Sequence, residues 1–205
     1  MIIEICGAPK SGKTQMATYI EEHAKHDGFR IRHYHGGGRF IPMDGKNSPE
    51  FNLAAVARNL YYLLTAPKPD NTVTIMDRGV VDALIFTEAQ LDCEIISRTE
   101  RGAIVNFIDQ PPVWRKMDHI VVLSAHSDVI QNRWKYSVGP NRGKHPGNLE
   151  LKLALNNRYN EIEKILNTRS VRYTIVEVPS NHQELLESSE EVYRRILSST
   201  IEEMI

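Results

Sequence analysis

The chain has 205 residues, of which 41% are hydrophobic and 25% are charged, a composition that excludes wholesale disorder and fits a single domain over residues 1–205. Lys and Arg number 25 against 26 Asp and Glu, and the net charge of −1 argues against general nucleic-acid binding. Two cysteines are too few for a disulfide framework and predict reduced thiols in a cytoplasmic protein. Neither a membrane-spanning helix nor a secretory signal is expected, because long apolar runs and a basic leader are missing.

Short apolar or alternating runs and longer stretches with apolar residues at helical spacing follow one another along the chain. In chain order they predict a strand at 1–6, a helix at about 12–26, a strand at 28–35, a helix between Ser48 and Pro67, a strand at 72–77, helices at about 80–91 and 94–108, a strand at 118–123, a helix at about 126–136, a helix at about 149–167, a strand at 171–178 and a helix at about 181–203. This alternation favours an α/β fold, a parallel sheet with helices on both faces. A ligand site is then expected at the carboxyl ends of the strands.

The first strand leads into a glycine-rich segment that matches the pattern G-x-x-x-x-G-K-[ST] of a P-loop. The strand before it and the helix after it are the context in which backbone N–H groups close around phosphate oxygens. Lys13 would reach the β- and γ-phosphates of a nucleotide, and the hydroxyl of Thr14 would bind Mg²⁺. The residues expected to bind the nucleotide here are Gly7, Ala8, Pro9, Lys10, Ser11, Gly12, Lys13 and Thr14.

A second motif, Asp77-Arg78-Gly79, comes directly after the third predicted strand. A carboxylate at this place could hold a water molecule on Mg²⁺ or orient the hydroxyl of an acceptor. The alternative is that Asp77 only caps the next helix and that Arg78 lies on the surface. The neighbouring P-loop favours the functional interpretation, with Thr14 and Asp77 as the metal pair.

A third signal is a basic segment in which Arg133, Lys135, Arg142 and Lys144 are interleaved with glycine and proline. Residues 137–148 are predicted to form a lid loop that closes over phosphates and supplies positive charge during a transfer reaction. The alternative is a solvated basic loop. After the fourth strand of a P-loop protein, the lid is favoured.

Together, residues 7–14, residues 77–79 and the basic segment resemble the thymidylate kinase-like branch of P-loop kinases, which includes the deoxynucleoside kinases. The resemblance covers nearly the whole chain in element order. It implies a five-stranded parallel sheet in the order 2-3-1-4-5, ATP or GTP as phosphate donor, Mg²⁺, and an acceptor between the second-strand loop and the helices of 80–108. It also implies that the base of the donor lies against Arg133 and the loop after the fifth strand, Pro179–His182.

The acceptor side departs from this family pattern. Members usually carry an acidic residue just after the second strand, whereas this chain continues from His35 into three glycines and Arg39. The catalytic base is therefore open among Asp77, Asp44 and Asp82.

Two arginines are candidate contacts of the acceptor. Arg39 suits a phosphate or a carboxylate, and Arg101 lies on a helix expected near the acceptor. Either could instead be a solvated surface residue.

His33 and His35 lie two residues apart on a predicted strand and point to one side of it. They could form a metal pair, but the sequence shows no further His or Cys cluster to complete tetrahedral ligation. A metal site is therefore not favoured at this position.

The favoured function is an ATP-dependent phosphotransferase with a nucleoside or nucleotide acceptor. A nucleotide-switch NTPase is the first alternative, disfavoured because residues 77–79 do not form D-x-x-G and N-K-x-D is absent. A kinase acting on a nucleic-acid 5′-hydroxyl is the second, and a nearly neutral chain gives it little support. We expect no membrane partner, and the oligomeric state is left open, a homodimer included.

Overall fold

The computed structural model describes residues 1–36, 41–43, 45, 48–68, 71–137, 149–179 and 182–202. In this part of the chain the strands are β1 (Ile2–Gly7), β2 (Arg30–His35), β3 (Thr72–Asp77), β4 (His119–Ser124) and β5 (Arg172–Glu177). All neighbouring strands run parallel, in the order β2-β3-β1-β4-β5. This confirms the α/β class and the strand order that the family resemblance implies.

The helices in the described ranges are α1 (Lys13–His26), α2 (Pro49–Thr65), α3 (Val80–Asp92), α4 (Arg98–Ile108), α5 (Pro111–Lys116), α6 (Ser127–Ser137), α7 (Leu149–Asn160), α8 (Ile162–Leu166) and α9 (His182–Glu202). The hydroxyl of Ser48 caps α2 by accepting the N–H of Phe51 at 3.2 Å, and a proline follows the cap, where its missing N–H costs nothing.

The register shows that helices cover both faces of the sheet. Side chains paired across neighbouring strands share a face, and consecutive side chains point to opposite faces. Glu4 pairs with Met76, and its carboxylate meets the N-terminus of α3. Ile75 pairs with His33, whose ring contacts Glu21 of α1. Therefore α1 and α3 lie on opposite faces, with α9 beside α1 and α7 beside α3.

Some predicted boundaries were wrong. Helix α5 lies in a stretch for which no helix was predicted, and its two prolines stand in the first turn, where proline is tolerated. The single helix predicted at 149–167 is divided at Glu161, whose φ and ψ of −105° and 7° depart from helical geometry. Helix α4 begins later than predicted, because Ser97 forms a capping box at its N-terminus.

Two observations concern the described residues as a whole. Among them, no helix has both the length and the apolar character that crossing a bilayer would require. Cys6 and Cys93 are both free thiols.

Candidate functional site

The P-loop joins the buried strand β1 to α1 by a turn that depends on its glycines. Gly7 and Gly12 have φ of 151° and 103°, backbone angles that residues other than glycine rarely adopt. A Cβ on Gly7 would lie 2.5 Å from the carbonyl oxygen of Leu123, and one on Gly12 would lie 2.6 Å from Cδ2 of Leu185. The loop is therefore packed against β4 and α9, and the N-terminus of α1 begins directly after it.

The side chain of Lys13 lies inside this loop. Its ammonium donates to the carbonyl oxygens of Gly7 at 2.8 Å and Ala8 at 2.7 Å, and the residue is only 4% exposed. Burial, followed by the positive charge of Arg78, lowers the pKa of Lys13 to about 7. An ammonium group in this position is close to where the P-loop motif places phosphate oxygens.

Thr14 and Asp77 are 63 positions apart in sequence and meet in the structure. The hydroxyl of Thr14 donates to Oδ2 of Asp77 at 2.9 Å, and Asp77 is buried at the end of β3. The two sequence motifs therefore form one site. A hydroxyl and a carboxylate are the oxygen ligands that Mg²⁺ uses in P-loop proteins, so this pair fits Mg²⁺.

Arg78 and Asp82 form an ion pair beside that contact. Nη1 of Arg78 lies 3.2 Å from Oδ2 of Asp82, and the hydroxyl of Tyr159 donates to Oδ1 of the same carboxylate at 2.5 Å. Arg78 has a φ of 71°, which is unusual outside glycine and asparagine. Asp82, a candidate base from sequence, is therefore already bound by two partners.

Glu4 contacts the candidate site and was not among the residues predicted from the sequence. It is fully buried in β1, and its carboxylate accepts the backbone N–H groups of Gly79 and Val81 at 3.1 Å and of Asp82 at 2.9 Å. These donors lie at the N-terminus of α3, where an anion is stabilised. Burial raises the pKa of Glu4 to about 7, against the pull of these N–H groups. Glu4 thus fixes the turn that carries Asp77 and Arg78.

A sequence signal for Glu4 did exist. It is the only charged residue in the apolar run of residues 1–7, and a charged side chain in a buried strand is rare unless it is paired or hydrogen-bonded.

Replacing Glu4 by leucine is expected to lower the free energy of unfolding by about 3 kcal/mol, because buried N–H donors lose their acceptor at roughly 1–3 kcal/mol each while the apolar side chain recovers part of the loss. Glu4→Gln keeps an acceptor oxygen, so its free energy of unfolding should lie between those of Glu4→Leu and the wild type. Urea unfolding measures the effect, with the exposed Glu22→Ala on α1 as control. A Glu4→Leu protein as stable as the wild type would contradict the role assigned to this carboxylate.

Arg133 of α6 connects the P-loop to the loop after β5. Its guanidinium donates to the carbonyl oxygens of Lys10 at 3.2 Å, Ser11 at 3.4 Å and Pro179 at 2.6 Å. The family resemblance places the base of the donor against Arg133 and the second of these segments, the loop after β5.

Of the residues predicted to contact the acceptor or to close over it, only some belong to the part of the chain that the structure describes. Arg101 of α4 forms an ion pair with Glu88 of α3. Arg39, Asp44 and Arg142, as well as all of the predicted lid except its first residue, lie outside the described residues.

The comparison with solved structures identifies the fold. No protein-family model matches the chain, and no curated protein matches its sequence. Three structures of deoxyadenosine kinase from M. mycoides do match. The structure with bound dCTP has 19% identity, a TM-score of 0.65, and covers 97% of this chain and 100% of that one. The structure with the products dCMP and dCDP has 17% identity and a TM-score of 0.70, and the match covers 97% of this chain and 100% of that one. The structure with dATP has 18% identity and a TM-score of 0.61, and the match covers 95% of this chain and 98% of that one.

The chain therefore has the P-loop kinase fold. Its structural neighbours lie in the deoxynucleoside kinase branch, which is the branch that the sequence motifs resemble.

Proposed function

We propose that the protein is a Mg²⁺-dependent kinase that transfers the γ-phosphate of ATP or GTP to a nucleoside or nucleotide. The observation that carries the proposal is the 2.9 Å contact between Thr14 and Asp77 beside the buried ammonium of Lys13. Deoxyadenosine kinases with nucleotides bound, which share the fold at 17–19% identity, support the choice of acceptor class.

The proposed donor site is the P-loop, residues 7–14. Its backbone N–H groups bind phosphate oxygens, and Lys13 contacts the β- and γ-phosphates. The base of the donor lies against Arg133 and Pro179, which contact each other, and Arg133 also donates to the carbonyl oxygen of Lys10 in the P-loop. Arg133, Arg78 and Arg142 supply positive charge to the phosphoryl group as its negative charge spreads during transfer.

Thr14 and Asp77 are the residues that would hold Mg²⁺. The ion, when bound, neutralises charge on the phosphates. Glu4 supports this pair by holding the turn after Asp77 through three backbone hydrogen bonds, so that the carboxylate is positioned before any ligand arrives.

We assign the role of base to Asp44. Oδ2 of Asp77 accepts the hydroxyl of Thr14 and this carboxylate is assigned to Mg²⁺, while Asp82 is bound by Arg78 and Tyr159, so neither is proposed as the base. A loose transition state asks little of a base, but an acceptor hydroxyl must still lose its proton. Arg39 and Arg101 are the proposed contacts of the acceptor. If the acceptor is a phosphate, no base is required, and Arg39 is then the residue to test.

A panel assay tests the proposed function. Purified protein is incubated with MgATP or MgGTP and, separately, with nucleosides, nucleoside monophosphates and 5′-hydroxyl oligonucleotides, and the products are separated by chromatography. Transfer to one of the small acceptors supports the proposal. Transfer only to oligonucleotides, or hydrolysis that no acceptor stimulates, would replace it by one of the two alternative functions.

Asp44→Asn is expected to reduce turnover with a hydroxyl acceptor about a hundredfold, the order of magnitude of a general base, while MgATP binding is unchanged. Asp82→Asn should have a smaller effect on turnover and act on the KM of the acceptor, since it weakens the support of Arg78. Both variants are compared by steady-state kinetics and by titration calorimetry with MgATP. Full turnover in Asp44→Asn would remove this residue as the base.

A further inference from the structure

Two histidines of β2 and one aspartate of β3 converge at the carboxyl ends of their strands. The register pairs His35 directly with Asp77, and the rings of His33 and His35 have centroids 3.9 Å apart. One ligand atom from each of these three residues lies within 4.8 Å of the other two. The third candidate ligand is a carboxylate from a different strand, not a further His or Cys near the two histidines in sequence.

His33 is oriented as histidine ligands of metals usually are. Its side chain is only 6% exposed, and its Nδ1 lies 2.6 Å from Oε2 of Glu21 on α1. A carboxylate on Nδ1 fixes the tautomer that leaves the lone pair on Nε2. The other oxygen of Glu21 accepts from Lys25 at 2.5 Å, which holds the carboxylate in place.

Two polar atoms of this cluster are buried without a hydrogen-bond partner among the described residues. They are Nε2 of His33 and Oδ1 of Asp77, whose Oδ2 is bound to Thr14. A buried polar atom without a partner costs about 1–3 kcal/mol, and nearly all such atoms in proteins are satisfied. A cation between the two strands would satisfy both atoms at once.

We propose that His33, His35 and Asp77 bind a divalent transition-metal ion, with Zn²⁺ as the representative, and that Glu21 positions His33. Two imidazole nitrogens and one carboxylate oxygen favour such an ion over Mg²⁺ and Ca²⁺, which prefer oxygen ligands. The site differs from the Thr14–Asp77 pair in its nitrogen ligands. Three protein ligands leave one coordination position for water or for an oxygen of another molecule.

The first test measures binding of the metal itself to the full-length protein. After chelator treatment and dialysis, the protein is titrated with Zn²⁺ by calorimetry and with Co²⁺ by visible absorption. We expect one equivalent of Zn²⁺, a Co²⁺ spectrum typical of nitrogen and oxygen ligation, and much weaker binding of Mg²⁺. Absence of a bound equivalent, or Mg²⁺ bound as tightly as Zn²⁺, would overturn the proposal.

Variants identify the ligands. His33→Asn and His35→Asn should each weaken Zn²⁺ binding at least a hundredfold, and the exposed position of His35 makes its variant safe for folding. The matched control is His126→Asn, which replaces a histidine that is 80% exposed and paired with Glu177. Unchanged Zn²⁺ affinity in His35→Asn would refute the site.

Glu21→Gln tests the positioning role. Loss of such a carboxylate typically weakens metal binding 10- to 100-fold, and the Co²⁺ spectrum should change because the ring of His33 is reoriented, a readout that a merely structural contact would not move. Lys25→Ala, which removes the other partner of Glu21, should bind Zn²⁺ within a few-fold of the wild type. Glu21→Gln with wild-type affinity and spectrum would remove Glu21 from the proposal.

Binding of Zn²⁺ can be tested separately from the proposed kinase activity. Lys13→Ala should lose phosphotransfer and still bind Zn²⁺, because Lys13 is not a ligand. Failure of the metal titration would leave the nucleotide site untouched, and failure of the acceptor panel would leave the metal titration valid.

Discussion

Lys13→Ala is expected to lower phosphotransfer about a hundred- to a thousandfold, the loss that follows removal of one preorganised charge from a transition state. The ammonium of Lys13 lies within 2.8 Å of two P-loop carbonyl oxygens, where it would meet the growing negative charge of the transferred phosphoryl group. Turnover is measured with saturating MgATP and the best acceptor of the panel. The rise in Tm caused by MgATP should also largely disappear, since stabilisation by a ligand depends on its affinity.

The control for this variant is Lys164→Ala, an exposed lysine on α8 that pairs only with Glu161 among the contacts described. It should retain wild-type turnover and the same response to MgATP. Normal turnover in Lys13→Ala would end the assignment of residues 7–14 as the donor site.

The pH dependence of stability gives an independent check on Lys13. Its pKa is lowered from 10.5 to about 7, so between these values the unfolded chain binds more protons than the folded one. The contribution of Lys13 to the free energy of unfolding therefore increases as the pH rises through this window. Relative to Lys13→Ala, the wild type should gain stability between about pH 7 and pH 10 in urea unfolding. Equal slopes for both proteins would show that folding does not lower the pKa of Lys13.

Asp77→Asn is expected to reduce turnover by about two orders of magnitude and to abolish the dependence of the rate on Mg²⁺. The amide oxygen of asparagine can still accept the hydroxyl of Thr14, so the local structure is preserved while the negative charge is lost. The rate is measured as a function of Mg²⁺ concentration at fixed ATP. A variant with the wild-type Mg²⁺ profile would show that Asp77 is not part of the metal pair.

Matched variants show whether the lost activity of Asp77→Asn comes from loss of the Thr14–Asp77 pair. Thr14→Val removes the hydroxyl and should resemble Asp77→Asn, whereas Thr14→Ser restores it and should recover most of the activity. Asp128→Asn replaces an exposed carboxylate on α6 and should behave as wild type. His35→Asn removes a ligand of the proposed transition-metal site alone, so the Mg²⁺ concentration that gives half-maximal rate should not change.

Much of the fold was predictable from the sequence because its signals are local. Each strand and helix is set by the spacing of apolar residues over a few turns, and the alternation of the two types leaves a parallel sheet as the natural arrangement. The P-loop motif is equally local, since eight consecutive residues carry both the glycines that the turn requires and the lysine and threonine that the motif assigns to phosphates and to Mg²⁺. The strand order came from the resemblance to a family, because neighbouring strands can be permuted without any change in local pattern.

The tertiary structure decided which polar groups meet across the sheet. Glu4 contacts N–H groups that follow it by 75 to 78 positions, and nothing in the local pattern of β1 indicates where those donors lie. The register of β2 against β3 places Asp77 beside His35, which turns a pair of histidines into a three-residue cluster. A shift of one residue in that register would send the histidines to the opposite face. The sequence thus determined the elements and the P-loop motif. The pairing of strands decided the partners of each buried charge, since such partners are chosen by distance in space and not along the chain.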